Sequence, residues 1–349
     1  MSRKHSNISI FVPHIGCPNK CSFCNQRYIT GVCKGPGAED VGAAAAAAQS
    51  SKGYDPATTE IAFFGGSFTA INRNYMTDLL EAAAVFVRDG SVRGIRISTR
   101  PDAIDEEILG ILKGYGVTSI ELGAQSMNDR VLKMNNRGHT VKDVENASAL
   151  IKRHGFELGL QMMIGLFGST MQAEWDTLHA LLACKPDTMR FYPVVVLEET
   201  ELAQRYRNGS YSLYSMEQVL DFCADAWVEA VQAGSRVIRC GLHDSQELRK
   251  RAVAGFYHPA FGELVKGRIY RRSVERYLQQ QVVLPDTLQV LTASGTYSQV
   301  VGQKKCNVQY FAQQQVAVSV QESDALQPGQ ISIKEEVYDV FKGIGATRV

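Results

Sequence analysis

The sequence predicts an α/β fold whose strands form a parallel sheet or a barrel. Six short runs rich in β-branched and aromatic residues alternate with helix-like segments, and several runs are continuously apolar, as doubly buried strands are. Such alternation is typical of parallel strands joined by crossover helices. The strand candidates are residues 8–12, 60–64, 94–98, 118–122, 157–164 and 188–196, with a weaker one at 235–240.

Helical patterns lie between these strands. An alanine-rich run opens the series, and because alanine is the best helix former we interpret it as a helix with a thin, close-packing face. The helix candidates are residues 41–49, 74–89, 103–116, 140–155, 170–184 and 216–234.

The pattern changes near residue 250, where we place a domain boundary. Residues 249–281 form a basic helical segment, and residues 284–349 look extended before a short amphipathic helix, KEEVYDVFKGI. We therefore predict a core domain at 1–250 and a C-terminal α+β extension at 251–349. The predicted extended pieces are LPDTLQVLT, SQVVG, CNVQYF and VAVSV.

Composition and charge are those of an ordinary globular protein. Of the 349 residues 45% are hydrophobic and 21% charged, and the net charge of +1 favours neither nucleic acid nor an anionic membrane as partner. The N-terminal apolar stretch is too short for a signal peptide, and no window approaches the roughly 20 apolar residues of a membrane span. We expect a cytoplasmic protein without a membrane partner, in which clustered cysteines serve metal binding or catalysis.

Three cysteines, Cys17, Cys21 and Cys24, lie within eight residues after the first predicted strand. Thiolates are the ligands of iron–sulfur clusters, and a cubane normally takes four, so three leave one iron open to another ligand. The loop follows a strand at the end where barrel enzymes place their chemistry. The alternative is a structural zinc site completed by His14 or Cys33, although the second pair of ligands typical of zinc knuckles is missing.

The segment CPNKCSFC, as CxxxCxxC after the first strand, resembles the signature of the radical S-adenosylmethionine (SAM) superfamily. The resemblance implies a [4Fe–4S] cluster on the three cysteines and SAM bound to the open iron. One electron, from a donor such as flavodoxin or ferredoxin, then cleaves SAM to methionine and a 5′-deoxyadenosyl radical. The resemblance also places Phe23 beside the adenine of SAM.

Polar residues and glycines follow the next strands. The resemblance assigns Gly65, Gly66 and Ser67 to the methionine amino group of SAM, whereas the GGS segment alone favours an ordinary turn. Ser98 and Thr99 end the third strand as candidates to face the ligand, or as part of the turn into the next helix.

Later strands end in further candidates. Gln125 and Ser126 are placed to offer polar groups to a ribose or carboxylate, and Arg137 in the RGH segment is a candidate carboxylate contact, or part of a solvated loop. Gly165 resembles the superfamily's adenine-contacting strand end. Tyr192 either faces substrate or anchors the barrel mouth.

Several segments in order also resemble the catalytic subunit of Elongator, which modifies the wobble uridine of transfer RNA. Three departures stand out: too few residues after 250 for its acetyltransferase domain, the compact cysteine spacing, and Ser98 in place of a frequent glutamate. The matching segments are FGGSFTA, STRPD, ELGAQS, NNRGHT, LQMMIGL, PDTMRFYPVVV and GSYSLYS.

These resemblances predict a partial (β/α)6 TIM-like barrel with a small C-terminal α+β extension. The leading function is a radical SAM enzyme of RNA modification, and the second is the same catalyst acting on a small metabolite such as a porphyrinogen-like acid. The third is a zinc-stabilised RNA-binding module without catalysis. The segment KGRIYRRSVER, at 266–276, either binds RNA phosphates or is a solvated helix face.

Overall fold

The computed structural model describes residues 5–12, 21–25 and 35–342. The chain divides into two compact units. The first contains the residues up to Leu213 together with His243–Tyr257, and the second contains Tyr214–Leu242 and the residues from His258 onward. The predicted domain boundary at 250 stays a prediction. Within the described ranges, every helix is too short or too polar to cross a bilayer.

Thirteen strands form within the described residues, and they are numbered along the chain. They are β1 Ser6–Val12, β2 Thr59–Gly65, β3 Gly94–Thr99, β4 Val117–Gln125, β5 Glu157–Ile164, β6 Thr188–Pro193, β7 Val195–Leu197, β8 Arg236–Cys240, β9 Ala252–Gly255, β10 Thr287–Ala293, β11 Ala317–Ser323, β12 Gln330–Ile333 and β13 Glu336–Asp339.

Twelve α-helices accompany these strands in the same ranges. They are α1 Ala38–Gln49, α2 Arg73–Arg88, α3 Glu106–Gly114, α4 Asp129–Met134, α5 Val141–Arg153, α6 Met171–Ala183, α7 Glu201–Arg207, α8 Met216–Gln232, α9 Gln246–Arg251, α10 Phe261–Gln279, α11 Tyr297–Val301 and α12 Cys306–Gln313. Side-chain caps begin many of them; for example, Thr170 accepts a hydrogen bond from the Ala173 amide at the start of α6.

The first unit is built on six parallel strands in the order β1 to β6. Helices connect successive strands, so each strand ends at the same edge of the curled sheet. This confirms the predicted partial (β/α)6 barrel with a small C-terminal α+β region. A short antiparallel pair, β7 with β9, follows the end of β6.

The two faces of the barrel strands differ in chemistry. Alternate side chains form an apolar layer in which every member is fully buried. Its members include Ile61, Phe63, Ile95, Ile97, Ile120, Leu122, Leu158 and Leu160. The other face points into the barrel and includes charged side chains such as Glu60, Arg96 and Glu121. It is largely buried too, so β2, β3 and β4 are buried on both faces although their inner faces are partly polar.

An ion-paired arginine lies deep in the barrel. Arg96, 1% exposed, places Nε 2.7 Å from Glu60 Oε2, Nη1 3.3 Å from Glu121 Oε1 and Nη2 3.0 Å from Glu157 Oε1. Burial alone would lower the pKa of Arg96, but the carboxylates outweigh it and raise that pKa. Hydroxyl donors on β4 complete the hydrogen bonding of Glu60. Arg93 also pairs with Glu60 and Glu157, and Arg190 pairs with Glu121, so three arginines balance the three carboxylates.

The second unit contains a four-stranded sheet in the order β11, β10, β12, β13. Two predictions for this region are wrong. SQVVG and CNVQYF lie mainly in α11 and α12 rather than in extended chain. The segment predicted as a terminal helix contains β13, because Lys334 and Glu335 both take positive φ and form a tight hairpin with β12.

The basic segment of the sequence lies in α10. Arg268, 7% exposed, pairs with Glu217 at 2.5 Å and with Asp221, and Arg272 pairs with Asp221 at 2.7 Å and with Asp225. These acids belong to α8. The charges of Arg268 and Arg272 are thus balanced within the unit. The predicted binding of RNA phosphates by this segment stays a prediction.

Candidate active site

The end of β2 lies directly against the end of β1. The Gly66 amide donates a hydrogen bond to the Val12 carbonyl at 2.8 Å. Gly65 takes φ +114°, and a Cβ atom there would lie 2.5 Å from the Val12 oxygen. Only glycine fits this position, so the GGS segment has a structural requirement besides its predicted contact with SAM.

Buried hydroxyls join the ends of β2 and β3. Ser67 Oγ lies 2.9 Å from Thr99 Oγ1 and accepts a hydrogen bond from the Arg100 amide at 3.1 Å. Thr69 Oγ1 lies 2.6 Å from Thr99 Oγ1 and donates to the Ala103 carbonyl. Ser67 and Thr99, two of the predicted cofactor contacts, thus hold neighbouring strand ends together.

The described part of the cysteine loop is a turn fixed by Ser22. The Cys24 amide donates to the Cys21 carbonyl at 3.1 Å, which brings the two half-buried thiols to one turn. Fully buried Ser22 donates from its amide and hydroxyl to the Asn135 carbonyl and Oδ1, at 3.1 and 2.8 Å. Its carbonyl accepts from the Leu202 amide at 2.8 Å.

Phe23 fixes the same turn by packing. Its half-buried ring lies against a cluster formed near the ends of β5 and β6 and by the segments that follow. The cluster consists of Val131, Leu166, Val194, Val196, Leu202, Ala203 and Tyr211. Cys17, the first predicted ligand, lies outside the described residues, as do His14 and Cys33.

Arg137 places its guanidinium beside the cysteine turn. Nη1 donates to Cys21 Sγ at 3.4 Å, and Nη2 donates to the Gly123 carbonyl at 2.6 Å. Among the described residues, no carboxylate lies within ion-pair distance of Arg137, and its Nε is buried without a hydrogen-bond partner. At the rim of the barrel, where strands β1 to β6 end, Arg137 is thus a cation next to a thiol and without an ion-pair partner among the described residues.

His139 lies two residues further and is buried. Its Nε2 is 3.1 Å from the Ala124 carbonyl, so this nitrogen carries the proton and donates. Burial and then the charge of Arg137 lower the pKa of His139 to about 4. The imidazole is neutral at physiological pH, and its Nδ1 has no partner in the described part of the chain.

Gln125 ends β4 in a left-handed conformation, with φ +66°. The register with β5 shifts between Leu122 and Gln125, which is the signature of a bulge that re-aims a side chain. The Gln125 amide folds over Gly123, and within the described ranges its Oε1 is buried without a partner. Ser126 instead lies against α6, 3.4 Å from the Thr177 hydroxyl.

At the end of β5, Gly165 has φ +89° and is hydrogen-bonded through both its amide and its carbonyl. Its amide donates to Glu174 Oε1 at 2.8 Å, and its carbonyl accepts from the Tyr211 hydroxyl at 2.6 Å. Glu174 is 1% exposed, and burial raises its pKa to about 7, against hydrogen bonds from Gly165 and Ser169 that lower it. The sequence analysis missed Glu174, since one acid in an amphipathic helix gives no signal.

Below the rim, buried and half-buried polar side chains line the interior. Arg190 places Nη2 2.7 Å and Nε 2.6 Å from the Glu121 carboxylate, and its Nη1 donates to the Tyr192 hydroxyl at 3.3 Å. Gln161 Nε2 donates to Glu121 Oε2 at 2.9 Å and lies 3.4 Å from Ser98 Oγ. The sequence analysis missed Glu121, Gln161 and Arg190, although polar residues at every second strand position were a readable signal.

The residues present fit an iron–sulfur cluster with SAM. Two cysteines share one turn, and a cation lies beside the thiol of Cys21. Buried polar atoms of Gln125, Arg137 and His139 lack partners within the described residues. In the same ranges, no three His, Cys, Asp or Glu side chains converge on a metal position. The third proposed thiol, Cys17, belongs to the undescribed part of the loop.

Two family models match the chain. The radical SAM superfamily model matches residues 11–181, and the radical SAM C-terminal domain model matches residues 186–271. The chain belongs to the radical SAM superfamily. This confirms the resemblance predicted from the cysteine loop, and it makes the protein an enzyme of a superfamily that uses SAM and a [4Fe–4S] cluster.

Relatives of this radical SAM enzyme share part of its length. The tRNA uridine(34) acetyltransferase of Methanocaldococcus jannaschii is 32% identical over 133 residues, which are 37% of this chain and 25% of that protein. Elongator complex protein 3 of Danio rerio is 34% identical over 134 residues, 38% of this chain and 24% of that protein. The chain therefore matches about a quarter of the length of these relatives, which confirm the predicted Elongator resemblance.

A solved structure shows the same fold. The archaeal Methanocaldococcus infernus Elp3 with an N-terminal deletion matches with a TM-score of 0.61 and 21% sequence identity. The match covers 80% of this chain and 69% of that chain. At this identity the likeness concerns the fold, and it agrees with the partial barrel of this radical SAM enzyme.

Proposed function

We propose that this chain cleaves SAM reductively at a [4Fe–4S] cluster held by Cys17, Cys21 and Cys24, and that it modifies RNA, with transfer RNA as the first candidate. The observation that carries the proposal is the turn that joins Cys21 to Cys24 and places the Cys21 thiol beside Arg137. When bound, the cluster supplies the electron that splits SAM into methionine and a 5′-deoxyadenosyl radical. The chain's own residues position the two groups and exclude water.

We assign the SAM contacts to residues at the ends of β2 to β5 and in the cysteine loop. The glycine backbone at the end of β2 allows close approach of a ligand, and buried polar atoms of Gln125 and Arg137 have no partner among the described residues. The proposed contacts are Gly65, Gly66 and Ser67 for the amino group, Ser98 and Thr99 from β3, Gln125, Ser126 and Arg137 for the ribose and carboxylate, and Phe23 and Gly165 for the adenine.

Two observations support RNA over a small acid as substrate. The Methanocaldococcus jannaschii relative is named a tRNA uridine(34) acetyltransferase. In the interior, Glu121 balances the charge of Arg190, which leaves the neutral hydrogen-bonding groups of Ser98, Gln161 and Tyr192. Such groups suit a nucleobase edge. An acid such as a porphyrinogen would need a cation, and Arg137, which has no ion-pair partner among the described residues, is assigned to SAM.

Anaerobic reconstitution with iron and sulfide tests both parts of the proposal. Dithionite replaces the expected donor, flavodoxin or ferredoxin, and 5′-deoxyadenosine is measured with SAM, with and without bulk transfer RNA. We expect 5′-deoxyadenosine to form, and its yield to rise with transfer RNA in a salt-sensitive way. No cleavage by an iron-loaded chain would contradict the proposed chemistry, and a yield indifferent to transfer RNA would contradict the proposed substrate.

A pair of cysteine variants tests the site. Cys21→Ala should lose the brown colour and the content of about four irons that a cubane requires. Cys306→Ala is the matched control, because Cys306 is exposed on α12 in the second unit, and it should bind iron like the unaltered protein. Cleavage that persists in Cys21→Ala, or a stoichiometric zinc ion in place of iron, would show that the cysteine assignment is wrong.

A further inference from the structure

Arg137 differs from two other arginines of the first unit, because it contacts the thiol of Cys21 rather than a carboxylate. The buried arginines of the first unit meet carboxylates: Arg96 contacts three of them, and Arg190 is paired with Glu121. Arg137 instead donates to a thiol sulfur at 3.4 Å and to the Gly123 carbonyl at 2.6 Å. In the described part of the chain, its positive charge is balanced by no acid.

The surroundings keep this charge close to the sulfur. The 2.6 Å bond to Gly123 fixes one end of the guanidinium fork, so the other nitrogen points at Cys21. The neighbouring imidazole of His139 is held neutral, so it neither competes for an anion nor adds charge. Asn135, two residues before Arg137, holds the cysteine turn through both hydrogen bonds to Ser22. One short segment therefore positions both the turn and the cation.

A positive charge and an N–H donor beside a ligating sulfur change the free-energy difference between the oxidised and the reduced cluster. The reduced cluster carries one more negative charge than the oxidised cluster, and hydrogen bonds to sulfur together with net local charge are among the factors that set the reduction potential. Arg137 would therefore stabilise the reduced state. Its effect is present before SAM binds, because the contact is to the protein's own ligand.

We infer that Arg137 tunes the reduction potential of the cluster through its hydrogen bond to Cys21, in addition to any contact with SAM. The inference rests on the proposed function, since it takes Cys21 as a cluster ligand. Arg137 acts here as a positioning and tuning residue for the electron transfer. A role confined to the SAM carboxylate would leave the potential of the SAM-free cluster unchanged.

The test is a redox titration of the reconstituted protein without SAM, followed by electron paramagnetic resonance of the reduced cluster. Arg137→Met removes the charge and the donors at similar length. We expect the ratio of reduced to oxidised cluster at a fixed applied potential to fall at least tenfold, which corresponds to about 59 mV for a one-electron couple. Arg130→Met is the matched control, because Arg130 is exposed on the same segment, and it should titrate like the unaltered protein.

The outcomes separate this inference from the proposed function. An unaltered protein that assembles no cluster would overturn the proposed function. A cluster whose potential is the same in Arg137→Met and the unaltered protein would overturn the inference alone. If Arg137→Met binds less iron, Arg137→Gln replaces it, since its amide can still bond Gly123, and the same shift is expected. Loss of iron from both variants would assign Arg137 to cluster assembly and would also overturn the inference.

Discussion

Charged side chains inside the barrel are paired with opposite charges, whereas two charged side chains at its rim have no such partner among the described residues. Inside, Arg96 meets three carboxylates and Arg190 meets Glu121. At the rim, Arg137 and Glu174 have no oppositely charged partner within ion-pair distance among the described residues. They meet a thiol and backbone groups instead. The interior charges lie on strands β2 to β6, whereas Arg137 follows α4 and Glu174 lies on α6. The rim charges therefore come from segments that contact the strand ends at Gly123 and Gly165.

This difference in charge pairing distinguishes residues that stabilise the fold from residues that are placed to bind a ligand. A buried charge is costly unless it is paired, so a fold under no other demand pairs its charges, as the interior does. Unpaired charge at the rim lowers stability, and it is retained where a ligand supplies the missing partner. The rim is also where the cysteine turn, the glycine pair and the unpartnered atom of Gln125 come together.

The largest expected effect comes from removing the interior cation. Arg96→Met leaves Glu60, Glu121 and Glu157 without the positive charge of Arg96. We expect the free energy of unfolding to fall by about 3–5 kcal/mol. Arg137→Met should cost no more than about 1.5 kcal/mol, because it breaks hydrogen bonds but no ion pair. Urea denaturation of the iron-free variants measures both. Equal losses would contradict the distinction between interior and rim.

Glu174 is a rim residue whose contribution to the free energy of unfolding should depend on pH. Its pKa is about 7 in the folded protein, above the ordinary 4.5, so its contribution to stability is full below pH 4.5 and is lost as the pH rises through 7. The loss is about 3 kcal/mol. Glu174→Gln keeps an acceptor for the Gly165 amide but carries no charge. It should match the unaltered protein at pH 5 and exceed its stability at pH 8.

Urea denaturation across this pH range, with the variant measured beside the unaltered protein, isolates Glu174 because the contributions of other groups cancel. Asp176→Asn is the matched control, since Asp176 is an exposed acid on the same helix. A Glu174→Gln protein that is no more stable than the unaltered protein at pH 8 would show that the buried carboxylate is balanced after all.

His139 should show the opposite dependence. Its pKa is about 4 in the folded protein, below the ordinary 6.5, so its contribution is full above pH 6.5 and is lost as the pH falls through 4. His139→Gln can still donate to the Ala124 carbonyl. At pH 4 it should gain up to about 3 kcal/mol relative to the unaltered protein, with no gain at pH 7.5. A gain that is the same at both pH values would contradict a buried neutral imidazole.

The smallest effect concerns the glycine backbone of the rim. Gly65→Ala forces a Cβ atom to within 2.5 Å of the Val12 carbonyl at a positive φ, and we expect a loss of about 1–3 kcal/mol together with weaker SAM binding. Gly110→Ala is the control. Gly110 is exposed in α3 with open space around it, so alanine there should stabilise by about 0.5–1 kcal/mol. Thermal unfolding compares the two, and a neutral Gly65→Ala would contradict the close approach of β1 and β2.

Much of the first unit was predictable from the sequence, because its signals are local. Runs of β-branched, aromatic and other apolar residues predicted the six strands, and the cysteine spacing predicted the radical SAM superfamily. The second unit was harder to predict. The segments SQVVG and CNVQYF read as extended, yet they are helical, with Val300 and Phe311 buried against tertiary neighbours that a short pattern does not reveal. The strand β13 depends on its hairpin partner β12 rather than on its own residues.

By itself, the sequence determined the partial barrel, the cysteine loop and the strand ends that carry candidate contacts, since alternation and spacing are properties of neighbouring residues. Only the tertiary structure decided which charges are balanced. Glu121 meets Arg190, 69 residues away, and Arg137 meets Cys21, 116 residues away. Electrostatic energy depends on distance in space and on burial, and both are fixed only when the strands lie side by side.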